Sequence, residues 1–318
     1  MDIVLLIAGL GLVLLGANML TDWSAALAKR FGLSEFVIGL TIVAIGTSAP
    51  ELVVSVISAV QGNGDVAVGN ILGSNMFNTL VIIGITAIII PVPFTADNIR
   101  KDIPFALLAS FILLVVVSDV YLKDSTEGVI SRGEGILMLF FWIVFMVYTL
   151  FSAKNGVSPE TSKENTVSKS IWLMLLMIGL GLVGLIYGGK LFLDSGISLA
   201  RSIGISESVI AITLMAGGTS LPELAACVVS ALKGKPQMAL GNVIGSNISN
   251  IFLILGLSAS IHPLKLGNIL PADMVVLTIS SLLIFLTAYT FKKRAADRIE
   301  GIVFLLLYVA YIIWLIMR

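Results

Sequence analysis

The 318-residue chain is 58% hydrophobic and only 12% charged, with a mean hydropathy of +1.06, against roughly 25% charged residues in an ordinary soluble domain. A soluble fold of this length could not hide so much apolar surface, which excludes a water-soluble enzyme or binding module. The formal net charge of zero offers no basic surface to nucleic acid, and the one cysteine, Cys227, permits no internal disulfide and reads as a small packing residue.

The N-terminal Met1-Asp2-Ile3 lacks a basic n-region, so the first apolar run, 3–22, reads as a retained span rather than a cleaved leader. Runs of about 20 apolar residues, enough to cross a ~30 Å hydrocarbon layer as helices, follow at 34–60, 66–90, 103–121 and 133–151. The polar stretch 152–170, flanked by Lys154 and Lys169, reads as a linker too short for a folded domain. Five more spans follow at 171–193, 206–231, 238–261, 272–291 and 299–317. The expected fold is therefore an all-α integral membrane protein of ten transmembrane helices, partnered by the lipid bilayer. Of the 19 Lys and Arg, thirteen fall in loops on one side, five on the other, and Lys190 lies inside the sixth span. The positive-inside rule then puts the linker in the cytoplasm and both termini outside.

Shifting the chain by 172 residues lays Ala28–Asn78 on Ala200–Asn250 without a gap, and 25 of the 51 positions are identical. GTSAPEL at Gly46–Leu52 matches GTSLPEL at Gly218–Leu224; GNILGSNMFN at Gly69–Asn78 matches GNVIGSNISN at Gly241–Asn250. Each copy lies in a five-span half, residues 1–151 and 171–318. An odd number of spans makes the second half begin on the opposite side of the bilayer, so the halves form an inverted repeat. Secondary transporters of this build place their substrate at the midplane between the halves.

Among the 19 acidic residues only Glu51 and Glu223 fall well inside expected spans. Ionisable groups at that depth are costly, and they normally face a protein interior and serve ions or protons. Thr47, Ser48 and Glu51 lie within one helical turn, as do Thr219, Ser220 and Glu223. Pro50 and Pro222 have no N–H to give the carbonyls four residues back, so main-chain oxygens of 44–47 and 216–219 are expected to loosen inside the membrane. A plain kink, with a hydroxyl bonding back to the opened turn, is the alternative. Ser74 with Asn78, and Ser246 with Asn250, add oxygens at i, i+4 spacing, while Gly69, Gly73, Gly241 and Gly245 form small-residue faces for close helix approach. The resulting set is all oxygen, suited to hard cations rather than zinc or copper. Two Glu match one Ca²⁺ or two Na⁺, and both carboxylates ionised without a cation would repel at a desolvated site. That is a reason to exchange ions rather than return unloaded.

At these paired motifs the chain resembles the calcium/cation antiporter superfamily, specifically the prokaryotic sodium/calcium exchangers, along its whole length. The resemblance implies that the second, third, seventh and eighth spans hold the ions, while the first and sixth slide across them to alternate access. By motif position it implies ligands at Ala44, Thr47, Ser48, Glu51, Ser74 and Asn78, and at Ala216, Thr219, Ser220, Glu223, Ser246 and Asn250, with the two alanines acting through carbonyls. It also implies about three Na⁺ moved per Ca²⁺, no cofactor, and a place in a prokaryotic cell membrane. Potassium-dependent relatives carry Asp where this chain has Asn250, and calcium/proton relatives lack the Thr-Ser pair of the motif. These departures favour sodium coupling over potassium-dependent or proton-coupled exchange. An intramembrane hydrolase would need a base near Ser48 or Ser220, and neither His nor Lys lies near the motifs. A channel would not need two inverted copies of one cage. The sole histidine, His262, falls at a span end and reads as interfacial.

Overall fold

A computed structural model describes residues 2–118, 128–155, 170–203, 216–267, 269, 271–290 and 294–317. In chain order its helices are α1 (Asp2–Phe31), α2 (Glu35–Thr47), α3 (Ala49–Val60), α4 (Gly64–Ile89), α5 (Ile103–Val117), α6 (Arg132–Asn155), α7 (Ile171–Ser202), α8 (Leu221–Leu232), α9 (Pro236–Ile261), α10 (Pro271–Thr287) and α11 (Arg298–Met317). Six of them, α1, α4, α6, α7, α9 and α11, are long and apolar enough to cross a membrane, and α2 with α3 makes a seventh span bent by 46°. Of the ten expected spans, the fourth and ninth correspond to the shorter α5 and α10. The seventh, expected at 206–231, is described only from Ala216 onward, and the linker at 156–169 lies outside the described residues.

Helix α6, expected to end at 151, runs four residues into the expected linker, to Asn155, and two further helices overrun the expected bounds by nine residues each. The first was expected to stop at residue 22 but runs to Phe31, because 23–31 contains good helix formers and no breaker; the chain leaves the helix at Gly32, whose φ of +65° suits glycine. The sixth span, expected to end at 193, runs to Ser202 as α7. At 1.5 Å per residue these helices are roughly 45 Å long, more than a hydrocarbon layer needs, so they tilt or project. They pack along each other, and the contact is lined by glycine. A Cβ on Gly16 would lie 2.6 Å from the Gly181 carbonyl oxygen, and one on Gly188 would lie 2.8 Å from the Val13 nitrogen.

Helices α2 to α4 and α8 to α9 form the interior. Pro50 and Pro222 occupy the first turns of α3 and α8, where a missing N–H costs nothing. Both helices end two residues before a glycine of positive φ, Gly62 at +80° after Gln61 and Gly234 at +71° after Lys233. Four of the described stretches widen into π-helix: Asn98–Asp102 just before α5, Gly39–Val43 within α2, Phe77–Ile82 within α4 and Asn250–Leu255 within α9. The last two lie at the matched residues Asn78 and Asn250, and such widenings often accompany functional positions. Two short antiparallel pairs tie the halves together: Val92–Pro93 with Ala295–Ala296, and Val129–Ile130 with Leu264–Lys265.

The small-residue faces work across the halves. A Cβ on Gly241 or Gly245 would collide with the main-chain carbonyls of Phe36 or Leu40, so α9 lies directly against α2. The partner segment that the repeat would give Gly69 and Gly73 falls in residues 204–215, outside those described.

Candidate functional site

Both motif helices break at the hydroxyl pair. Ser48 leaves helical geometry at φ −79°, ψ 10° and Ser220 at φ −88°, ψ 9°, so each Glu sits in the first turn of the helix that restarts. Glu51 and Glu223 are wholly buried. The helices extend further than the sequence suggested, so Asp22 and Asp194 also lie within helical residues, but both are exposed.

The two halves exchange hydrogen bonds at this point. Ser48 Oγ donates to Glu223 Oε1 at 2.9 Å, and Ser220 Oγ donates to Glu51 Oε1 at 3.1 Å. Glu51 Oε1 also accepts from Ser74 Oγ at 3.2 Å. Ser246, which matches Ser74, instead donates to the Ala44 carbonyl at 3.4 Å and lies 3.5 Å from Asn242 Oδ1. That carbonyl was expected to be loosened by Pro50, but it is also engaged by the Ser48 N–H at 3.1 Å and Thr47 Oγ1 at 3.4 Å. Thr219 Oγ1 lies 3.5 Å from Ser74 Oγ and 3.4 Å from Asn70 Oδ1. Ala216 begins a single helical turn, Ala216–Gly218, ahead of the second break.

Four asparagines that sequence reasoning passed over complete the network. Thr47 Oγ1 donates to Asn242 Oδ1 at 3.2 Å, and Asn70 Nδ2 reaches Ser55 Oγ at 3.1 Å. Asn242 Nδ2 meets the Sγ of Cys227, which stands where the first copy has Ser55, at 3.3 Å. Asn75 and Asn247 bridge α4 and α9 and hold the amides of Asn250 and Asn78. Their signal was in the sequence: each is a polar residue inside an apolar span, identical at the matched position.

Of the nine buried side-chain polar atoms without a hydrogen-bond partner among the described residues, four are Glu51 Oε2, Glu223 Oε2, Asn78 Oδ1 and Asn250 Oδ1. All four are acceptors, and they come in matched pairs. An unpartnered buried acceptor costs about 1–3 kcal/mol, more for a charged one, and native proteins leave few of them. Their common chemistry, carboxylate and amide oxygen with no nitrogen or sulfur, is that of a hard-cation ligand set. His262 is exposed at the end of α9, its Nδ1 3.0 Å from the Pro263 carbonyl oxygen.

The sequence profile of the sodium/calcium exchanger protein family matches residues 1–151 and 172–317. The putative antiporter CaxA of Alkalimonas amylolytica is 33% identical over 97% of this chain and 96% of its own. The sodium/calcium exchanger MaX1 of Methanosarcina acetivorans is 31% identical over 98% and 97%. A solved structure of the sodium-calcium exchanger NCX_Mj, soaked with Na⁺ and Sr²⁺, aligns with a TM-score of 0.83 and 33% identity, covering 98% of this chain and 97% of that one. The chain is a membrane protein that belongs to the sodium/calcium exchanger family of cation antiporters.

Proposed function

We propose that this protein exchanges Na⁺ for Ca²⁺ by alternating access, at a single cage formed by the twelve residues at matched positions 44, 47, 48, 51, 74 and 78 and 216, 219, 220, 223, 246 and 250. The observation that carries the reading is the reciprocal Ser48–Glu223 and Ser220–Glu51 pairing, with the second oxygen of each carboxylate left unpartnered. Each half thereby supplies one charge and orients the charge of the other. On this reading ten spans make two inverted five-helix halves, 1–151 and 171–318, joined by a cytoplasmic linker at 152–170. Both termini lie outside the cell membrane.

The charge count sets the expected stoichiometry. One Ca²⁺ balances the two Glu, whereas three Na⁺ leave the cage one charge positive, an excess the surrounding oxygen dipoles can bear. Each cycle then moves net charge, and one elementary charge across 100 mV is worth about 2.3 kcal/mol. Asn250, neutral where potassium-dependent relatives carry Asp, supports sodium coupling without potassium. The test is radioactive-calcium uptake into proteoliposomes under sodium, potassium or proton gradients applied separately, then under valinomycin-clamped voltage. Uptake driven by sodium alone and altered by voltage is expected. Uptake driven by protons, or dependent on potassium, would replace the sodium assignment, and indifference to voltage would exclude three Na⁺ per Ca²⁺.

A further inference from the structure

Asn75 and Asn247 are buried in both copies of the same motif, yet neither belongs to the cage proposed above. Asn75 Nδ2 donates to the main-chain carbonyl of Asn247 at 3.1 Å. A main-chain carbonyl only accepts, so this contact fixes which way round the Asn75 amide stands. Its Oδ1 is left facing Asn250, whose Nδ2 donates to it at 2.8 Å. The amide group of Asn250 is thereby spent on Asn75, and its Oδ1 is the unpartnered end. Across the repeat, Asn78 Nδ2 donates to Asn247 Oδ1 at 3.2 Å, and Asn78 Oδ1 is again the unpartnered end.

The two arms differ in strictness. Asn247 gives its own Nδ2 to Thr79 Oγ1 at 2.8 Å, and a hydroxyl can donate as well as accept, so it does not force the orientation of Asn247. The position matched to Thr79 is Ile251, which has no hydroxyl; Asn75 is anchored by a main-chain oxygen instead.

Resting on the cation-cage reading, we propose that Asn75 and Asn247 are positioning residues. Each holds the ligand asparagine of the opposite half, Asn250 or Asn78, with its oxygen rather than its amide hydrogens toward the transported cation, and Asn75 is the stricter of the two. Orientation decides the sign of the contact. An amide oxygen attracts a cation, and an amide NH₂ in its place repels it.

A double-mutant cycle tests this on the purified full-length chain, with Ca²⁺ itself as probe and both equilibrium binding and the KM and Vmax of exchange as readouts. Asn75→Leu keeps the volume and removes the acceptor. It should weaken Ca²⁺ binding about tenfold or more, the scale of one lost orienting hydrogen bond plus an unsatisfied amide. In an Asn250→Asp background the ligand has oxygen at both ends and no orientation to hold, so the same Asn75→Leu change should cost less than about twofold. Damage to packing, or to the Asn247 carbonyl left without its donor, would be the same in both backgrounds. Equal losses in the two backgrounds, or no loss in the natural one, would overturn the proposal. Should Asn75→Leu fail to fold, Asn247→Leu with and without Asn78→Asp supplies the matched cycle, with a smaller but same-signed difference expected. Glu51→Ala separates the two readings: retained Ca²⁺ binding there would overturn the cation cage itself, whereas its loss leaves the cage standing whatever Asn75 does.

Discussion

The interior between α2, α3, α4, α8 and α9 and the contact between α1 and α7 are both buried helix interfaces, built on opposite principles. The first is held by directional bonds: buried Ser, Thr, Asn and Glu side chains from both halves are interlocked at 2.8 to 3.5 Å. The second is smooth, with Gly16, Gly181 and Gly188 bringing backbones together around Val13, Ala17, Leu20, Ile178 and Leu185. Directional bonds resist displacement, because sliding by one residue would strand every donor and acceptor in a medium without water. An apolar face loses little when it shifts. Where α1 touches the interior, Thr21 Oγ1 lies 3.2 Å from Ser230 Oγ, and Lys233 Nζ reaches Asp22 Oδ1 at 2.7 Å and the Asn18 carbonyl at 3.3 Å. On the proposed reading the interior is the fixed cage and the α1–α7 pair the moving part, the arrangement the resemblance implies for the first and sixth spans.

The comparison breaks most visibly at the carboxylates. Glu51→Ala and Glu223→Ala should each abolish sodium-driven calcium uptake while leaving a monodisperse membrane protein, since each removes a charge the cation needs. Wild-type uptake by either variant would remove the cage from the interior. A smaller effect, of a different kind, is expected on the smooth side. Gly16→Val forces a side chain against the Gly181 carbonyl and should lower thermal stability by about 1–3 kcal/mol, the usual cost of overpacking. It should slow exchange severalfold yet change Ca²⁺ affinity less than about twofold; a large affinity loss would show that the pair takes part in the cage.

Smaller still is the tie between the two regions. The Lys233–Asp22 pair is partly exposed, with Asp22 60% accessible, so its contribution to stability is below about 1 kcal/mol. Asp22→Asn should therefore alter Vmax by a few-fold in either direction, with KM and melting temperature nearly unchanged. An unchanged Vmax would mean that this tie does not restrain α1. The smallest effect on exchange is expected outside both regions, at Asp102 just before α5. It lines a cavity of about 490 Å³ with Glu35, Asp97 and Lys101, and burial lifts its carboxyl to about 6 against the pull of the Asn98 amide. The folded state thus holds this proton more tightly than the unfolded chain. The stabilisation is full below the ordinary value of 3.8 and is lost as pH rises through about 6. Asp102→Asn should accordingly melt higher than the parent at pH 7.5, by up to a few kcal/mol in the limit of full burial. The difference should fade by pH 4, and calcium exchange at pH 7.5 should be unaffected; a pH-independent difference would contradict the assignment.

Much of the proposed cage can be read in the sequence because the chain states its residues twice. A Glu in the middle of an apolar span, or a proline behind a Thr-Ser pair, is ambiguous once and pointed when repeated at a spacing of 172. The same argument applied to Asn70, Asn75, Asn242 and Asn247 would have found the supporting network, since nothing but a polar role explains matched asparagines at such depth. Cross-repeat partnership could not be read. That Ser246 turns to Ala44 and Asn242 while Ser74 turns to Glu51 depends on where α9 comes to rest against α2, which glycine spacing permits but does not specify. Helix ends were legible only where chemistry marks them. Gly62 and Gly234 mark the ends of α3 and α8, whereas hydropathy falls off at residue 22 although the α1 helix continues to Phe31.

The central claim, that Glu51 and Glu223 present their unpartnered oxygens to one shared cation, is tested most directly by equilibrium Ca²⁺ binding to the purified chain beside Glu51→Gln and Glu223→Gln. These variants keep shape and remove charge. The account predicts one Ca²⁺ per natural chain, displaced by Na⁺, and loss of that binding in each variant alone. Undiminished Ca²⁺ binding in either variant would contradict it.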